Sequence, residues 1–363
     1  MSNAEKELED LRDEISKADE SIVKLLDQRA SITKSIGDTK KKLGRPIIDR
    51  AREHKVYLDV TSKNTNYITR SQLQAIYKEI IGSCRAVQLG KRHVVYLGPP
   101  GTFSEQAAKQ YFSEAEAEFI ITQNITDIFR KVINEEAEFG VVPVENSTSG
   151  SITLTLDLLL ENNLNVIGEI VIRIQHNLIA MNKIPLSEIK ILLSHEQPLA
   201  QCRKFIERNL PQVEIIETKS TSLAIEMLPQ YEHAAAIGTE LAAELYNRTI
   251  IDKGIEDNQN NFTRFFIISH EKSEATGNDK TSIVFSVRHV PGALLSALKC
   301  FSSRNINLTK LESRPARLTP WEYYFYTDFE GHTTESHIQD ALQDLKNSTL
   351  YIKVLGSYPK CST

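Results

Sequence analysis

The 363-residue chain is predicted to form three units: an all-α helical unit, a two-lobed α/β unit, and an α+β unit of ferredoxin-like βαββαβ order. Three observations predict this. A 3-4 hydrophobic spacing runs through a long N-terminal segment, a strand–helix pattern is then repeated at a fixed offset, and a final stretch sets two helical patterns among four strand patterns. A prior of roughly 150 residues per domain agrees with two or three domains. The sequence places the units at residues 1–90, 93–270 and 281–358.

Residues 5–43 read as one helix. Leu8, Leu11, Ile15, Ala18, Ile22, Leu25, Ile32 and Ile36 form a heptad seam interrupted at Arg29, and that period argues for packing of helix on helix. Gly44 and Pro46 stop it, the glycine being able to adopt a left-handed cap. A second helix runs from about Asp49 to Val60, and a third, through Leu73, Ile76, Ile80 and Val87, to Leu89. The first helix is too long to bury itself against the other two.

From His93 onward, strands are predicted at 94–97, 118–121 and 139–144, then again at 189–194, 214–217 and 234–238. The constant offset of about 95 residues reads as two similar lobes. Ligands of open α/β sheets sit beyond the carboxyl ends of the strands. Loops 98–104, 124–127, 145–150, 194–197 and 220–222 should therefore line a cleft of hydroxyls and amides. After a polar linker (271–280) come strand 282–288, helix 292–303, strands 307–314 and 321–328, helix 334–346 and strand 350–357. That is the split βαββαβ order.

Composition narrows the function. The chain is 40% hydrophobic and 25% charged with net charge -5, which is ordinary for a globular protein and gives no basic footprint for nucleic acid. No apolar run nears the roughly 18 residues that span a bilayer. Glu5, Lys6, Glu7, Glu9 and Asp10 lack the apolar core of a signal peptide. Cys84, Cys202, Cys300 and Cys361 are scattered, without the spacing of a metal site. A cytoplasmic protein without disulfides, with neither a membrane nor a nucleic-acid partner, is expected.

The helical unit carries charges that suit an anionic ligand. Arg29 sits on the seam, where a buried, unpaired cation is costly and a dicarboxylate would pair it. Lys40 lies three turns along the same face, about 16 Å away. Asp49, Arg52 and Glu53 cluster at the start of the second helix, and Gln88 ends the third. A solvated charged bundle is the plainer explanation; Arg29 on the seam weighs against it. Arg12 lies about 42 Å from Lys40 along a straight helix. If both serve one small ligand, Arg12 comes from a second, antiparallel chain, and the protein is an intertwined homodimer. Whether dimers pair into tetramers is left open.

At these residues the chain resembles known families. The run LRDEISKADESIVKLLDQRA, then Lys40 and RPIIDRAREH, resembles the all-helical chorismate mutase domain, which forms an intertwined dimer with sites built from both chains. YLGPPGTFSEQAA (96–108), GVVPVENSTSGSI (140–152) and NFTRFF (261–266) resemble prephenate dehydratase. GALL (292–295) and ESRP (312–315) resemble the phenylalanine-binding ACT domain. The three motif sets stand in the order of the bifunctional P-protein family.

This resemblance implies an enzyme of L-phenylalanine biosynthesis that rearranges chorismate to prephenate, converts prephenate to phenylpyruvate, is inhibited by L-phenylalanine, and uses no cofactor or metal. For the first site it implies Arg12 and Arg29 on substrate carboxylates, Lys40 on a carboxylate and the ether oxygen, and Gln88 as second donor to that oxygen. Asp49 and Glu53 would meet the substrate hydroxyl and nearby polar groups, with Arg52 a further arginine of the site. Cys84 stands where some relatives carry serine. For the second site it implies Thr263 as essential to catalysis with Asn146 and Gln197 beside it, and Thr102, Ser104, Glu145, Ser147, Thr221 and Arg264 as substrate contacts. For the third it implies a phenylalanine site at Gly292, Ala293, Leu294, Leu295, Glu312, Ser313, Arg314 and Pro315, with Glu312 receiving the ammonium.

The residue types suit these reactions. A Claisen rearrangement needs capture of one compact conformer and fixed donors to the departing oxygen; an amide such as Gln88 donates at any pH. Loss of hydroxide with carbon dioxide needs a hydrogen-bond donor at the leaving group, which a held threonine hydroxyl can be. Taken without the resemblance, Thr263 is an ordinary strand residue and His195 a structural loop histidine. GPPGTFS lacks the Lys-Ser/Thr of a Walker loop. Two alternatives remain: a two-lobed amino-acid sensor with a helical dimerisation arm, and a monofunctional dehydratase whose helical unit is inactive. Arg29, Lys40 and Gln88 argue against an inert arm.

Overall fold

A computed structural model describes residues 3–44, 47, 50–63, 65–316 and 322–361. It divides into two compact units, Met1–Arg92 with Phe112–Glu118, and His93–Tyr111 with Phe119–Thr363.

The first unit contains α1 (Asn3–Lys42), α2 (Arg50–Thr61) and α3 (Arg70–Leu89). The long first helix is present as expected, at about 60 Å for its length. Its seam residues Leu8, Leu11, Ile15, Ile22, Leu25, Ile32 and Ile36 are 49–66% exposed, so the described residues leave about half or more of each seam side chain uncovered. α3 opens with a capping box: the Thr69 hydroxyl accepts the Gln72 N–H, and the Gln72 side chain accepts the Thr69 N–H. Gly90, at φ 77°, ends it. Gly37 is buried where α3 crosses α1, and a Cβ there would lie 2.9 Å from Gln88 Nε2. The close approach of α1 to Gln88 depends on that glycine.

The second unit begins with β1 (Arg92–Leu97), α4 (Phe103–Tyr111), β2 (Ala117–Thr122), α5 (Ile125–Ile133), β3 (Phe139–Asn146), β4 (Gly150–Ser151), α6 (Thr153–Glu161) and β5 (Asn165–Arg173). The chain then crosses to a second lobe of β6 (Asn177–Ala180), β7 (Ile191–Ser194), α7 (Glu196–Gln201), α8 (Arg203–Asn209), β8 (Glu214–Glu217), α9 (Thr221–Glu226), β9 (Ala234–Gly238), α10 (Glu240–Leu245) and β10 (Thr249–Lys253). It returns through β11 (Phe262–Ser269).

The sheet orders are β2-β1-β3-β11-β5, with β4 on β3, and β8-β7-β9-β6-β10. Each expected strand triplet is there, parallel at β1–β3 and at β8–β7–β9. Each is extended by antiparallel strands that sequence reading did not single out: β11 and β5 in one lobe, β6 and β10 in the other. β11 is buried on both faces from Thr263 to Ser269, so no alternation of apolar and polar residues marks it. β6 has four residues, all buried, too few to show a period.

The C-terminal part contains β12 (Asp279–Ser286), α11 (Ala293–Ser302), β13 (Leu308–Pro315), β14 (Tyr323–Glu330), α12 (Ser336–Ser348) and β15 (Tyr351–Pro359). The sheet order β13-β14-β12-β15, all antiparallel, realises the expected βαββαβ arrangement. Phe285, Phe301, Phe329, Ile338 and Leu345 fill the core with its helices. The sheet's other face shares one core with the first lobe, where Val284, Tyr326, Leu355 and Tyr358 join Val142, Leu156 and Phe266. Lys353 Nζ donates to the carbonyls of Leu159, Leu160 and Asn162, supplying donors that the end of α6 lacks.

Candidate active sites

In the helical unit a cavity of about 420 Å³ is lined by Arg29, Lys40, Arg52, Glu53, Cys84 and Gln88, together with Gln28, Thr33 and Arg85. The helical period places Arg29, Thr33 and Lys40 on the face of α1 that meets α3. Arg29 Nη1 donates to Cys84 Sγ at 2.8 Å, which gives the cysteine a contact. Lys40 Nζ donates to the Ile47 carbonyl at 3.0 Å. Gln88 Nε2 donates to the Thr33 carbonyl at 2.6 Å. Arg12 is exposed on α1 and is not among the lining residues. Asp49 lies outside the described residues.

Arg85 was not singled out in the sequence. Its Nε donates to Glu53 Oε1 at 2.8 Å, its Nη2 donates to Glu53 Oε2, and its Nη1 donates to Glu116 Oε2 at 2.6 Å. Burial works against its charge, but the two carboxylates hold it protonated, with its pKa above the ordinary value. Glu53 is thereby fixed in a bidentate grip. The only signal in the sequence was a cation one helical turn before Leu89, a position shared by many solvent-facing arginines.

A second cavity, of about 410 Å³, lies between the two lobes of the second unit. Lobe one contributes Gly98, Thr102, Ser104 and the segment Ser149–Ile152, and lobe two contributes His195, Gln197, Gln201, Lys219, Ser220 and Thr221. Asn146, Thr263 and His176 also line it. Loop 124–127, expected in the cleft, does not; there Asn124 caps α5 by accepting the Asp127 N–H.

β11 runs antiparallel to β3 with Thr263 opposite Asn146. Asn146 Nδ2 donates to Thr263 Oγ1 at 2.9 Å and to Asn261 Oδ1 at 2.7 Å. Asn146 Oδ1 accepts from the N–H groups of Thr148 and Ser149, each at 3.0 Å. Because Thr263 Oγ1 accepts from Asn146, its own proton is free for a group in the cavity. Thr102 caps α4, accepting the Glu105 N–H at 3.4 Å. His195 is the N-cap of α7, its Nδ1 accepting the Gln197 N–H at 3.3 Å, which is the structural role expected of it.

Three other expected contacts are engaged elsewhere. Arg264 follows Thr263 on the strand and so points to the opposite face. It donates to Glu169 at 2.7 Å, to Asp328 at 2.5 Å and to the Tyr358 hydroxyl at 2.9 Å, with Glu145 at 3.3 Å. Glu145 is paired with Lys310. Ser147 Oγ donates to the Asn260 carbonyl and accepts the Phe262 N–H, tying the end of β3 to the segment that enters β11.

His176 and Lys219 are lining residues that the sequence did not single out. His176 is 2% exposed; its Nε2 lies 2.8 Å from Gln201 Oε1, and its Nδ1 has no protein partner. Burial lowers its pKa, against the opposing pull of the Gln201 bond and the Glu256 carboxylate, so the ring is neutral. Nothing in the string RIQHNLIA marked this histidine as different from a core residue.

In the C-terminal part a cavity of about 390 Å³ is lined by Ala293 and Leu294 with residues 287–291, Glu322, Tyr323 and Phe325. Gly292 caps α11 at φ 82°, a conformation that favours glycine. Leu295 is 60% exposed. Ser313, Arg314 and Pro315 lie on β13 opposite Phe325, Tyr324 and Tyr323. Glu312 accepts from Ser151 Oγ and lies 3.3 Å from Lys310 Nζ. The four ESRP residues are not among those lining the cavity.

Comparison with known proteins matches three families along the chain. Residues 11–89 match the chorismate mutase type II family, 94–273 the prephenate dehydratase family, and 281–347 the ACT domain family. The bifunctional chorismate mutase/prephenate dehydratase of Aquifex aeolicus is 41% identical over 98% of this chain and 98% of its own length. That of Pseudomonas aeruginosa is 37% identical over 98% of each. A crystal structure of prephenate dehydratase from Arthrobacter aurescens in complex with L-Phe is 35% identical at a TM-score of 0.67, covering 74% of this chain and 90% of that one.

Proposed function

The chain belongs to the bifunctional chorismate mutase/prephenate dehydratase family, and from that premise we propose which of its side chains perform each reaction. The enzyme acts in phenylalanine biosynthesis, taking chorismate to prephenate and prephenate to phenylpyruvate, under feedback control by phenylalanine through its ACT domain. We assign residues 1–90 to the mutase, 93–270 to the dehydratase and 281–358 to the effector domain.

In the helical cavity, Arg29 and Arg52 bind substrate carboxylates, and Lys40 with Gln88 stabilises the ether oxygen as its bond breaks. Fixed donors already in place need no reorganisation during the reaction, which is what a pericyclic step can use. Glu53, held by Arg85, meets the substrate hydroxyl. Arg12 completes the site from a second chain. The exposed seam of α1 supports this, because an antiparallel copy would cover it and bring residue 12 to the far end of its partner's helix.

In the interlobe cavity Thr263 donates its proton, as a hydrogen bond, to the departing hydroxyl of prephenate while carbon dioxide leaves and the ring becomes aromatic. The observation that carries this is the Asn146–Thr263 bond, since a hydroxyl that accepts from the amide keeps its own proton to donate into the cavity. Gln197, Thr221 and Lys219 hold the substrate from lobe two, and Thr102 and Ser104 from lobe one. Phenylalanine occupies the third cavity beside Ala293 and Leu294. Cytoplasmic residence is supported by the bacterial biosynthetic enzymes that the chain resembles along its length. Among the described residues no helix is long and apolar enough to cross a membrane.

The test follows chorismate by its ultraviolet loss and phenylpyruvate by its absorbance in alkali. Arg29→Ala abolishes the first reaction and leaves the second; Thr263→Ala does the reverse. Loss of both reactions in either variant contradicts the assignment of two separate sites.

A further inference from the structure

The wall of the interlobe cavity formed by Ser149–Ile152 is tied from behind by the C-terminal part of the molecule. Glu145 and Ser151 face one another across the β3–β4 pair. Lys310, on β13, donates to Glu145 Oε2 and, at 2.9 Å, to Ser151 Oγ. Ser151 Oγ in turn donates to Glu312 Oε2, which lies 3.3 Å from Lys310 Nζ. Lys310 and Glu312 share a face of β13 because strand residues two apart point the same way, and that face is the partly buried one. The Lys310 side chain is 13% exposed, and its ammonium sits between two carboxylates and a hydroxyl.

We propose that Lys310 is a positioning residue of the dehydratase reaction, fixing the β3–β4 hairpin so that Asn146 keeps Thr263 in its donating orientation. The proposal rests on the reading of the interlobe cavity as the dehydratase site. Asn146 directly follows Glu145, and its amide makes the bond to Thr263 Oγ1. Without the ammonium, Glu145 and Glu312 face each other across Ser151, and Glu145 keeps only its 3.3 Å contact to Arg264, a guanidinium held more closely by Glu169, Asp328 and Tyr358. Like charges so placed push the hairpin outward. A small displacement there is enough, because catalysis falls about 100-fold for a misplacement near 1 Å. β13 also pairs with β14, whose Tyr323 and Phe325 line the third cavity, so the residue that holds the hairpin sits on the strand next to the effector cavity.

The experiment compares Lys310→Met, Lys310→Arg and Lys310→Gln in the full chain, measuring dehydratase kcat and KM, mutase activity in the same samples, and the thermal transitions. Lys310→Met is expected to lower dehydratase kcat by about 10- to 100-fold, with KM changed less than about threefold and mutase activity unchanged. Lys310→Arg restores most of the loss because it keeps the charge, a rescue that a purely steric role would not give. Unaltered kcat in Lys310→Met, or equal loss in the Met and Arg variants, overturns the proposal. If Lys310→Met does not fold, Lys310→Gln is judged by the same rule: reduced kcat at normal KM supports the role, and full kcat refutes it. Wild-type protein that does not turn over prephenate refutes instead the reading of the cavity.

Discussion

At Thr263 the chemistry depends on what its neighbour does with a hydrogen bond. Asn146 donates to Thr263 Oγ1 and accepts two N–H groups on its other side, so its amide cannot turn without breaking several bonds at once. Asn146→Ala should lower dehydratase kcat by about 10²- to 10⁴-fold, the span of a lost positioned proton donor, although the threonine itself is untouched. Steady-state rates on prephenate check this. His176 makes the same unit's stability sensitive to acid. Its folded pKa lies below the usual value near 6.5, so the unfolded chain binds a proton that the folded chain refuses. The corresponding stability is fully present above the unfolded pKa and is lost as pH falls below it. Thermal midpoints of the second unit should decline from pH 7.5 to 5.5, and His176→Gln should reduce that slope. The sequence could not separate His176 from a core residue, because burial and an unpartnered ring nitrogen are facts of tertiary structure. Thr263 and Asn146 were legible only because each sits in an extended motif, whereas Arg29 and Lys40 already stood out by their place on the face of one helix.

At the scale of elements, the periodicities carried much of the architecture and missed what lies across the chain. α1 and the strand triplets of both lobes were readable from spacing. β11 was not, since seven buried residues in a row conceal a period of two. The same alternation explains why Thr263 lines the cavity while Arg264, its neighbour in one motif, serves the junction with the C-terminal sheet. Two glycines report how closely elements approach. Gly37→Ala would place a Cβ 2.9 Å from Gln88 Nε2, moving the donor meant for the ether oxygen. Mutase kcat/KM should fall about tenfold or more while circular dichroism shows the helices retained. Gly356→Ala would place a Cβ 2.0 Å from the Val166 carbonyl oxygen, and backbone cannot yield there as a side chain can. β15 should lose its seat on β5 at a cost of at least about 2 kcal/mol. Denaturant melts should locate that loss in the dehydratase transition and leave mutase activity intact.

At the scale of the whole molecule, each compact unit holds a cavity of its own, and the proposed mutase site is one that a single chain would leave unfinished. A 40-residue helix cannot bring its two ends to one ligand, and its apolar stripe is half exposed along its length. The proposed second copy, lying antiparallel, would resolve both at once: it would cover the stripe and carry Arg12 to the partner's Lys40. Mixing two inactive variants tests this most directly. Arg12→Ala and Arg29→Ala are each expected to lack mutase activity as pure dimers. After subunit exchange, half of the dimers are mixed, and each mixed dimer holds one site with both arginines intact. Mutase activity should then return to about one quarter of wild type under two-fold symmetry. No recovery after verified exchange would show that Arg12 and Arg29 act within one chain, and would contradict the shared site.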